Sequence, residues 1–202
     1  HYLGVDSGGD FGPAADGEGA CSVYCQNPAG DQLVFADLPQ PRLPLPSVAC
    51  AVQALVLLGE PATAGLLRPV LGELRLAGRF QHLLWRGRRV ILDVAHNPAA
   101  AELLARRLTA HLATRPPGRI HAVFAALADK DIDGIVAPLA PLITRWHVSG
   151  LAGVARAASA EELARVLYNR GADLCRCADV EASLATAHAD LAADDRVLVF
   201  GS

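Results

Sequence analysis

Methionine is absent from all 202 residues, and aromatic side chains make up only 5% of them. A core must therefore be assembled from small and aliphatic side chains, and a hydrophobic share of 52% supplies them. That share, with only 19% charged residues, excludes a disordered chain, which is charged and poor in aliphatics. Charge of either sign is scarce: 18 basic residues face 21 acidic ones, for a net charge of −3. Nothing here provides the basic surplus of a dedicated nucleic-acid binder. Long apolar runs are missing too. The longest, Val48 to Leu58, is interrupted by Gln53 and falls far short of the roughly 20 residues a membrane span needs. No basic, apolar, small-residue leader opens the sequence. The expectation is a soluble, cytoplasmic protein with no nucleic-acid or membrane partner.

Two further features concern the ends. The first residue is His1, and Val197-Leu-Val-Phe-Gly-Ser202 reads as a buried strand running into a turn. Together with the missing methionine, these lead us to expect a piece of a longer polypeptide. A chain this long still hides roughly 70% of its unfolded surface, so a sizeable core is available.

Several catalytic signatures are absent. There is no Gly-x-x-x-x-Gly-Lys-Ser/Thr phosphate cradle, no Gly-x-Gly-x-x-Gly, no Gly-x-Ser-x-Gly elbow and no His-Glu-x-x-His. The five cysteines fall at 21, 25, 50, 175 and 177. A zinc site calls for paired short spacings with further Cys or His in register. Cys175-Arg-Cys177 puts two sulfurs on one face of a strand, but the set as a whole reads as buried free thiols in a reducing compartment. His82, His111, His121, His147 and His188 are scattered, each read as a surface or core-edge imidazole.

What is present divides in two. Residues 1–20 are rich in Gly and Asp and read as loop. Cys21-Ser-Val-Tyr-Cys25 and Gln32-Leu-Val-Phe-Ala36 flank Asn27-Pro-Ala-Gly-Asp31, a hairpin signal. Leu38 to Pro46 carries so many prolines that no regular structure is expected. Ser47 then reads as the N-cap of a helix through about Leu58, and Pro61 as the start of another through about Glu73. This part, residues 1–75, reads as the end of an α+β domain. From residue 76 onward strand and helix patterns alternate, with strands at Val90–Asp93, a continuous apolar run, and at Ile120–Leu127, Ile143–Val148, Asp173–Cys177 and Arg196–Phe200. Helices are expected over 98–113, 132–142, 159–169 and 180–191. Such a pattern requires a mostly parallel sheet covered on both faces, a doubly wound, Rossmann-like α/β domain.

Ligands of such sheets sit beyond the carboxyl ends of the strands. There lies Asp93-Val-Ala-His-Asn-Pro98. Asn97 and Pro98 are explained as an N-cap and first-turn pair, whereas Asp93 and His96 have no such explanation. A carboxylate and an imidazole beside a helix N-terminus suit a polar or phosphorylated ligand. Asp129-Lys-Asp131 occupies the next such turn, with Asp131 read as a helix cap. Gly78 reads as a hinge and Arg79 as a candidate anion clamp.

The order of these pieces resembles one family. Leu43-Pro-Leu-Pro46, Gly78-Arg-Phe-Gln81, Asp93-Val-Ala-His-Asn-Pro98, Asp129-Lys-Asp131 and Val197-Leu-Val-Phe-Gly-Ser202 follow the pattern of the folylpolyglutamate synthase/dihydrofolate synthase family. That family is the folate branch of the ATP-dependent Mur ligases. The resemblance implies a two-domain ligase, with residues 1–75 as the tail of its α/β ATPase domain and 76–202 as its C-terminal domain, that activates a folate carboxylate as an acyl phosphate and joins L-glutamate to it as an amide. ATP and Mg²⁺ are the implied cofactors, with the magnesium ligands and the phosphate cradle outside these residues, so that this stretch alone is expected to be inactive. The implied substrates are dihydropteroate or folate with L-glutamate, and the implied state is a monomer. Ser47, Arg79, Asp93 and His96 are the nucleotide-contacting positions it implies. Ser47 departs from the family's asparagine, and the loop between Arg79 and Asp93, including Trp85-Arg-Gly-Arg-Arg89, reads as lengthened. Two alternatives stand beside it: a cell-wall amino-acid ligase of the Mur type, and a non-catalytic α/β nucleotide-binding module.

Overall fold

A computed structural model describes residues 4–6, 19–116 and 118–202. Residues 7–18, read above as loop, lie outside them. The chain forms two compact units, 1–76 and 77–202.

The first unit pairs an antiparallel sheet with two helices. Strands β1 (Gly4–Asp6), β2 (Ala20–Gln26) and β3 (Gln32–Pro39) lie in that order. Along β2 the side chains alternate, and Cys21, Val23 and Cys25 face inward. They pack with Phe35 and Leu38 against Val48, Val52 and Val56 of α1 (Leu45–Leu57) and Leu67 and Leu71 of α2 (Ala64–Glu73). Gln53, the polar break in the apolar run, has a definite task. Its side chain accepts from Gln26 N at 2.9 Å and donates to Gln26 O at 2.7 Å, satisfying the end of β2.

The proline-rich stretch is shorter than expected. Strand β3 continues through Pro39, a position tolerated at a sheet edge. Helix α1 begins at Leu45 with Pro44 as its cap, since proline fits a first turn that needs no N–H bond. Ser47 is thus not the N-cap. It is an exposed residue of the first turn, its N–H donating to Pro44 O at 3.0 Å. Likewise Thr63, not Pro61, caps α2.

The second unit is the expected α/β domain, with one strand the sequence did not announce. Its six strands run in the order β4 (Gln81–Trp85), β5 (Arg88–Asp93), β9 (Arg196–Gly201), β6 (Ile120–Ala125), β7 (Arg145–Val148) and β8 (Leu174–Arg176). All neighbours are parallel except β4 and β5, an antiparallel hairpin. The loop read as lengthened is this hairpin. Its two turn residues, Arg86 and Gly87, both take positive φ (49° and 76°), the twist that matches flanking strands.

Helices α3 (Pro98–Ala113), α4 (Ile132–Val136) and α5 (Ala160–Tyr168) cover one face, and α6 (Val180–Asp190) the other. The first face is aliphatic with an aromatic centre, where Phe124, Trp146 and Phe200 meet with centroids 4.8–6.0 Å apart. The helix expected over 132–142 is broken after Val136. Pro138 and Pro141 cannot donate, and the chain finishes in a 3-10 turn at Ala140–Leu142.

The thiols and two of the histidines correct two expectations. Of the five thiols only Cys21 and Cys25 are buried, and burial pushes both up, leaving them neutral; Cys50 is exposed and Cys175 and Cys177 are partly so. His121 and His147, read as surface or edge imidazoles, are at most 2% exposed. They stack on adjacent strands, Nδ1 of His121 lying 3.3 Å from Nε2 of His147. Burial, with the neighbouring His121, holds His147 down to about 4, so its ring is neutral at physiological pH. None of the described helices is long and apolar enough to cross a membrane.

Candidate functional site

The strand order reverses at β9, which lies between β5 and β6, and the loops after these three strands gather at the carboxyl edge. The end of β6 is held from both sides. Ser202 donates its N–H to Ala125 O at 3.1 Å and accepts from Leu127 N on Oγ at 3.2 Å. From the other side, Ala128 N donates to Arg156 O (2.8 Å) and Ala158 N to Ala126 O (2.9 Å).

At the end of β5, the β4–β5 hairpin brings the Gly78-Arg-Phe turn back over Asp93. The Asp93 carboxylate accepts from Phe80 N at 2.8 Å, and Val94 N donates to Gly78 O at 2.9 Å. Gln81 Oε1 accepts from Gly78 N, also at 2.9 Å. Gly78, expected as a hinge, is therefore also a pinned turn. Phe80 accepts a positive φ of 48° there, and the Arg107 guanidinium from α3 lies 4.5 Å over its ring. Burial raises the Asp93 pKa; the Phe80 N–H, Arg107, the Ala95 N–H and Arg79 pull against it. Arg107 in turn is lowered by burial, with Asp93 opposing.

The resulting arrangement is a half-buried carboxylate carrying a rigid turn, with the exposed Arg79 displayed on that turn. His96 follows within the same loop. Its Nδ1 lies 2.8 Å from Val94 O, a carbonyl that only accepts, so the neutral ring carries its proton on Nδ1 and keeps Nε2 as an acceptor. Asn97 then caps α3, accepting from Ala100 N at 2.9 Å, with Pro98 in the first turn. Asp131 caps α4 through Gly134 N at 2.9 Å, as read from the sequence.

The structure thus joins Arg79, Asp93 and His96 at one strand end. Ser47 lies in the other unit, at the start of α1. The turn's other supports, Gln81, Phe80 and Arg107, were not singled out as site residues. Gln81 three residues after Gly78 was the one local signal, whereas Arg107 reaches the turn only because α3 packs beneath it.

A carboxylate, a displayed cation and an imidazole thus stand together at the carboxyl edge of a doubly wound sheet, the place where such sheets take their ligands. Residues 78–202 match the family model for the Mur ligase glutamate ligase domain, and the chain belongs to that family.

Two relatives are called dihydrofolate synthase/folylpolyglutamate synthase. That of Escherichia coli is 39% identical over 167 residues, covering 82% of this chain and 37% of its own. That of Haemophilus influenzae is 33% identical over 183 residues, covering 82% and 41%. Among solved structures, E. coli FolC in complex with DHPP and ADP superposes with a TM-score of 0.73 at 35% identity, over 90% of this chain and 41% of that one. The Yersinia pestis bifunctional synthase complexed with AMPPNP and Mn ion gives the same values. The chain therefore spans about two-fifths of the length of these relatives.

Proposed function

We infer that this chain is the C-terminal part of an ATP-dependent ligase that adds L-glutamate to dihydropteroate, to folates or to both. The observation that carries this reading is the match of residues 78–202 to the glutamate ligase domain, within which the Asp93-held turn displays Arg79. The site fits a nucleotide's phosphates in its chemistry. Arg79 is an exposed guanidinium on a fixed turn, and the first turn of α3, where Pro98 has no N–H and Asn97 takes those of Ala100 and Ala101, adds the Ala99 N–H beside His96.

In this reading Arg79 neutralises phosphate charge as it develops. Asp93 holds the turn through Phe80 N and offers its remaining lone pairs to ribose hydroxyls. The Nε2 of His96 accepts from a donor of the bound ligand, and Ser47, where the family has an asparagine, is the fourth nucleotide-contacting position of this proposal. ATP supplies the phosphoryl group that activates the folate carboxylate, which the amino group of L-glutamate then attacks. Magnesium is the divalent ion of this proposal, held by residues elsewhere in the complete protein. The 202 residues alone contain no Gly-x-x-x-x-Gly-Lys-Ser/Thr segment and on this reading do not turn over. A monomeric, cytoplasmic enzyme completes the proposal.

The test is ADP release by the complete protein, given ATP, magnesium and L-glutamate with dihydropteroate or with tetrahydrofolate. Turnover with either is the expected result, and silence with both in a folded, ATP-binding protein would remove the reading. Arg79→Ala and Asp93→Asn are each expected to cost ~1–3 kcal/mol in kcat/KM for ATP, the range of lost charge-assisted contacts. Unchanged kinetics in both variants would remove the assignment of these two residues.

A further inference from the structure

The α6 face of the sheet holds a second constellation, away from the carboxyl-edge turn. In the parallel register of β7 and β8, His147 stands opposite Cys175. Trp146, Val148 and Leu174 point to the other face, so alternation sends His147 and Cys175 toward α6. Cys177, two residues on, shares the side of Cys175. Its N–H donates to Val148 O at 2.9 Å and so prolongs the ladder past the end of β8. The two sulfurs are 4.0 Å apart, and Cys177 Sγ lies equally far from Thr186 Oγ1 of α6. A ring nitrogen of His147 and both sulfurs lie within 4.8 Å of one another.

The proton inventory of the two histidines leaves one lone pair over. His121 Nε2 stands 3.9 Å from the Asp195 carboxylate, beyond hydrogen-bond reach and with no other partner among the described residues, and the negative charge favours a proton on that nitrogen. His121 Nδ1 is then an acceptor, and Nε2 of His147 is the donor in the 3.3 Å bond between them. His147 Nδ1 is consequently an unprotonated acceptor. It is fully buried and has no hydrogen-bond partner among the described residues. An acceptor left bare in a protein interior calls for a donor or a Lewis acid.

We propose that His147, Cys175 and Cys177 bind a thiophilic divalent cation, zinc by preference. Two thiolates on one tetrahedral Zn²⁺, each about 2.3 Å from it, stand about 3.8 Å apart. The sulfurs are already within a few tenths of an ångström of that spacing. Two thiolates and a neutral imidazole cancel the charge of a divalent ion, and thiolate ligands disfavour magnesium and calcium. The hydrogen bond from His147 to His121 is the kind of outer support that fixes a ligating imidazole. Strand β8 is the sheet's edge, so the ion enters from solvent and its fourth position stays open to water. A neighbouring trio, His121, His147 and Asp190, lies within the same span. Asp190 already faces Arg145 Nη1 at 3.4 Å, and His121 is committed to His147. The sulfur-bearing set is therefore the site. Once bound, the ion pins edge strand β8 to β7.

Titration of the full chain with Co²⁺, after removal of metal with a chelator and reduction with a phosphine, tests the proposal. One equivalent is expected to give a near-ultraviolet thiolate-to-cobalt band with intense tetrahedral visible bands, both abolished by Zn²⁺. The Cys175→Ser/Cys177→Ser variant, with an unchanged far-ultraviolet circular dichroism spectrum, is expected to lose the thiolate band, whereas Cys50→Ser keeps it. His121→Leu is expected to weaken Co²⁺ binding about 10- to 100-fold, the usual effect of removing a ligand's outer partner. Zn²⁺ is expected to raise the melting temperature of the parent chain and not that of the double variant. A folded, reduced protein giving no thiolate band overturns the proposal, as does the same band persisting without Cys175 and Cys177.

Discussion

Gly201→Ala is expected to lower the stability of the second unit by roughly 3 kcal/mol or more, a fall of about 10 °C in melting temperature. Gly201 closes β9 at a φ of +127°, a conformation that an L side chain rarely adopts. Strain is only part of the effect. A Cβ built there would meet the carbonyl oxygen of Ala125, with the carbonyl carbon 3.0 Å away. Those atoms belong to the backbone of the neighbouring central strand, so they cannot swing aside as a flexible side chain would. The ladder around them, including Ser202 N on Ala125 O, has to open instead. Gly153→Ala provides the comparison: its φ is +76° and nothing lies within 4 Å of its Cβ position. That variant is expected to show the strain alone, about 1 kcal/mol. Thermal unfolding of both variants, followed by circular dichroism, decides the matter, and equal melting temperatures would refute the account given for Gly201.

Asp195→Ala is expected to cost about 2–4 kcal/mol, because the N–H groups of Arg119 and Ala192 lose their acceptor while the half-exposed Arg119 guanidinium returns to water. Asp195 is only 4% exposed, yet its carboxylate accepts four bonds. Two come from backbone N–H groups, Arg119 at 2.8 Å and Ala192 at 2.9 Å; two come from the Arg119 guanidinium at 2.9 and 3.1 Å. These bonds tie the segment before β9 to the segment entering β6. Burial alone would push the Asp195 pKa up. The Ala192 N–H and the Arg119 guanidinium and N–H outweigh it and bring the group down to about 2 from an ordinary 3.8. The folded-state value is the lower one, so the stabilisation is complete above about pH 4 and is lost as pH falls toward 2. In denaturant titrations the parent protein should lose about 2 kcal/mol across that window through this group, and Asp195→Ala should lack that component. Identical acid profiles for the two proteins would contradict the assignment.

The strands and helices after Val90 were legible because each carries its own local signal. Apolar runs such as Val90–Asp93 and Arg196–Phe200 mark buried parallel strands, and Asn97-Pro98 and Asp131 mark helix starts. Strand β4 left a weaker trace. Gln81-His-Leu-Leu-Trp85 alternates between half-buried and exposed positions, and its turn uses Arg-Gly rather than the commoner Asn-Gly. The prolines around residue 40 were over-read as breakers, since an edge strand can end on one and a helix can begin on others. Asp93 and His96 were singled out by their place after a strand's carboxyl end, and Arg79 by the Gly-Arg pair ahead of the domain. The bond from Phe80 to Asp93 was not, because it exists only once β4 folds back on β5. His147 and Cys175 meet through strand register, which depends on how β7 and β8 align after the α5 crossover. Nothing local encodes that alignment.

The placement of β9 bears on how the second unit comes into being. It is the latest of the six strands in chain order, yet it sits between β5 and β6, with no edge of its own. Until it emerges during synthesis, the β4–β5 hairpin and the β6–β7–β8 ribbon have no strand to join them and present unpaired backbone toward each other. Such pieces invite wrong partners while they wait. A message cut short before Arg196 would thus yield two half-sheets, with α6 resting on β6 and β7 of only one of them. Pairing of β9 is the late, long-range event that makes one sheet of them, and it should set the pace of folding.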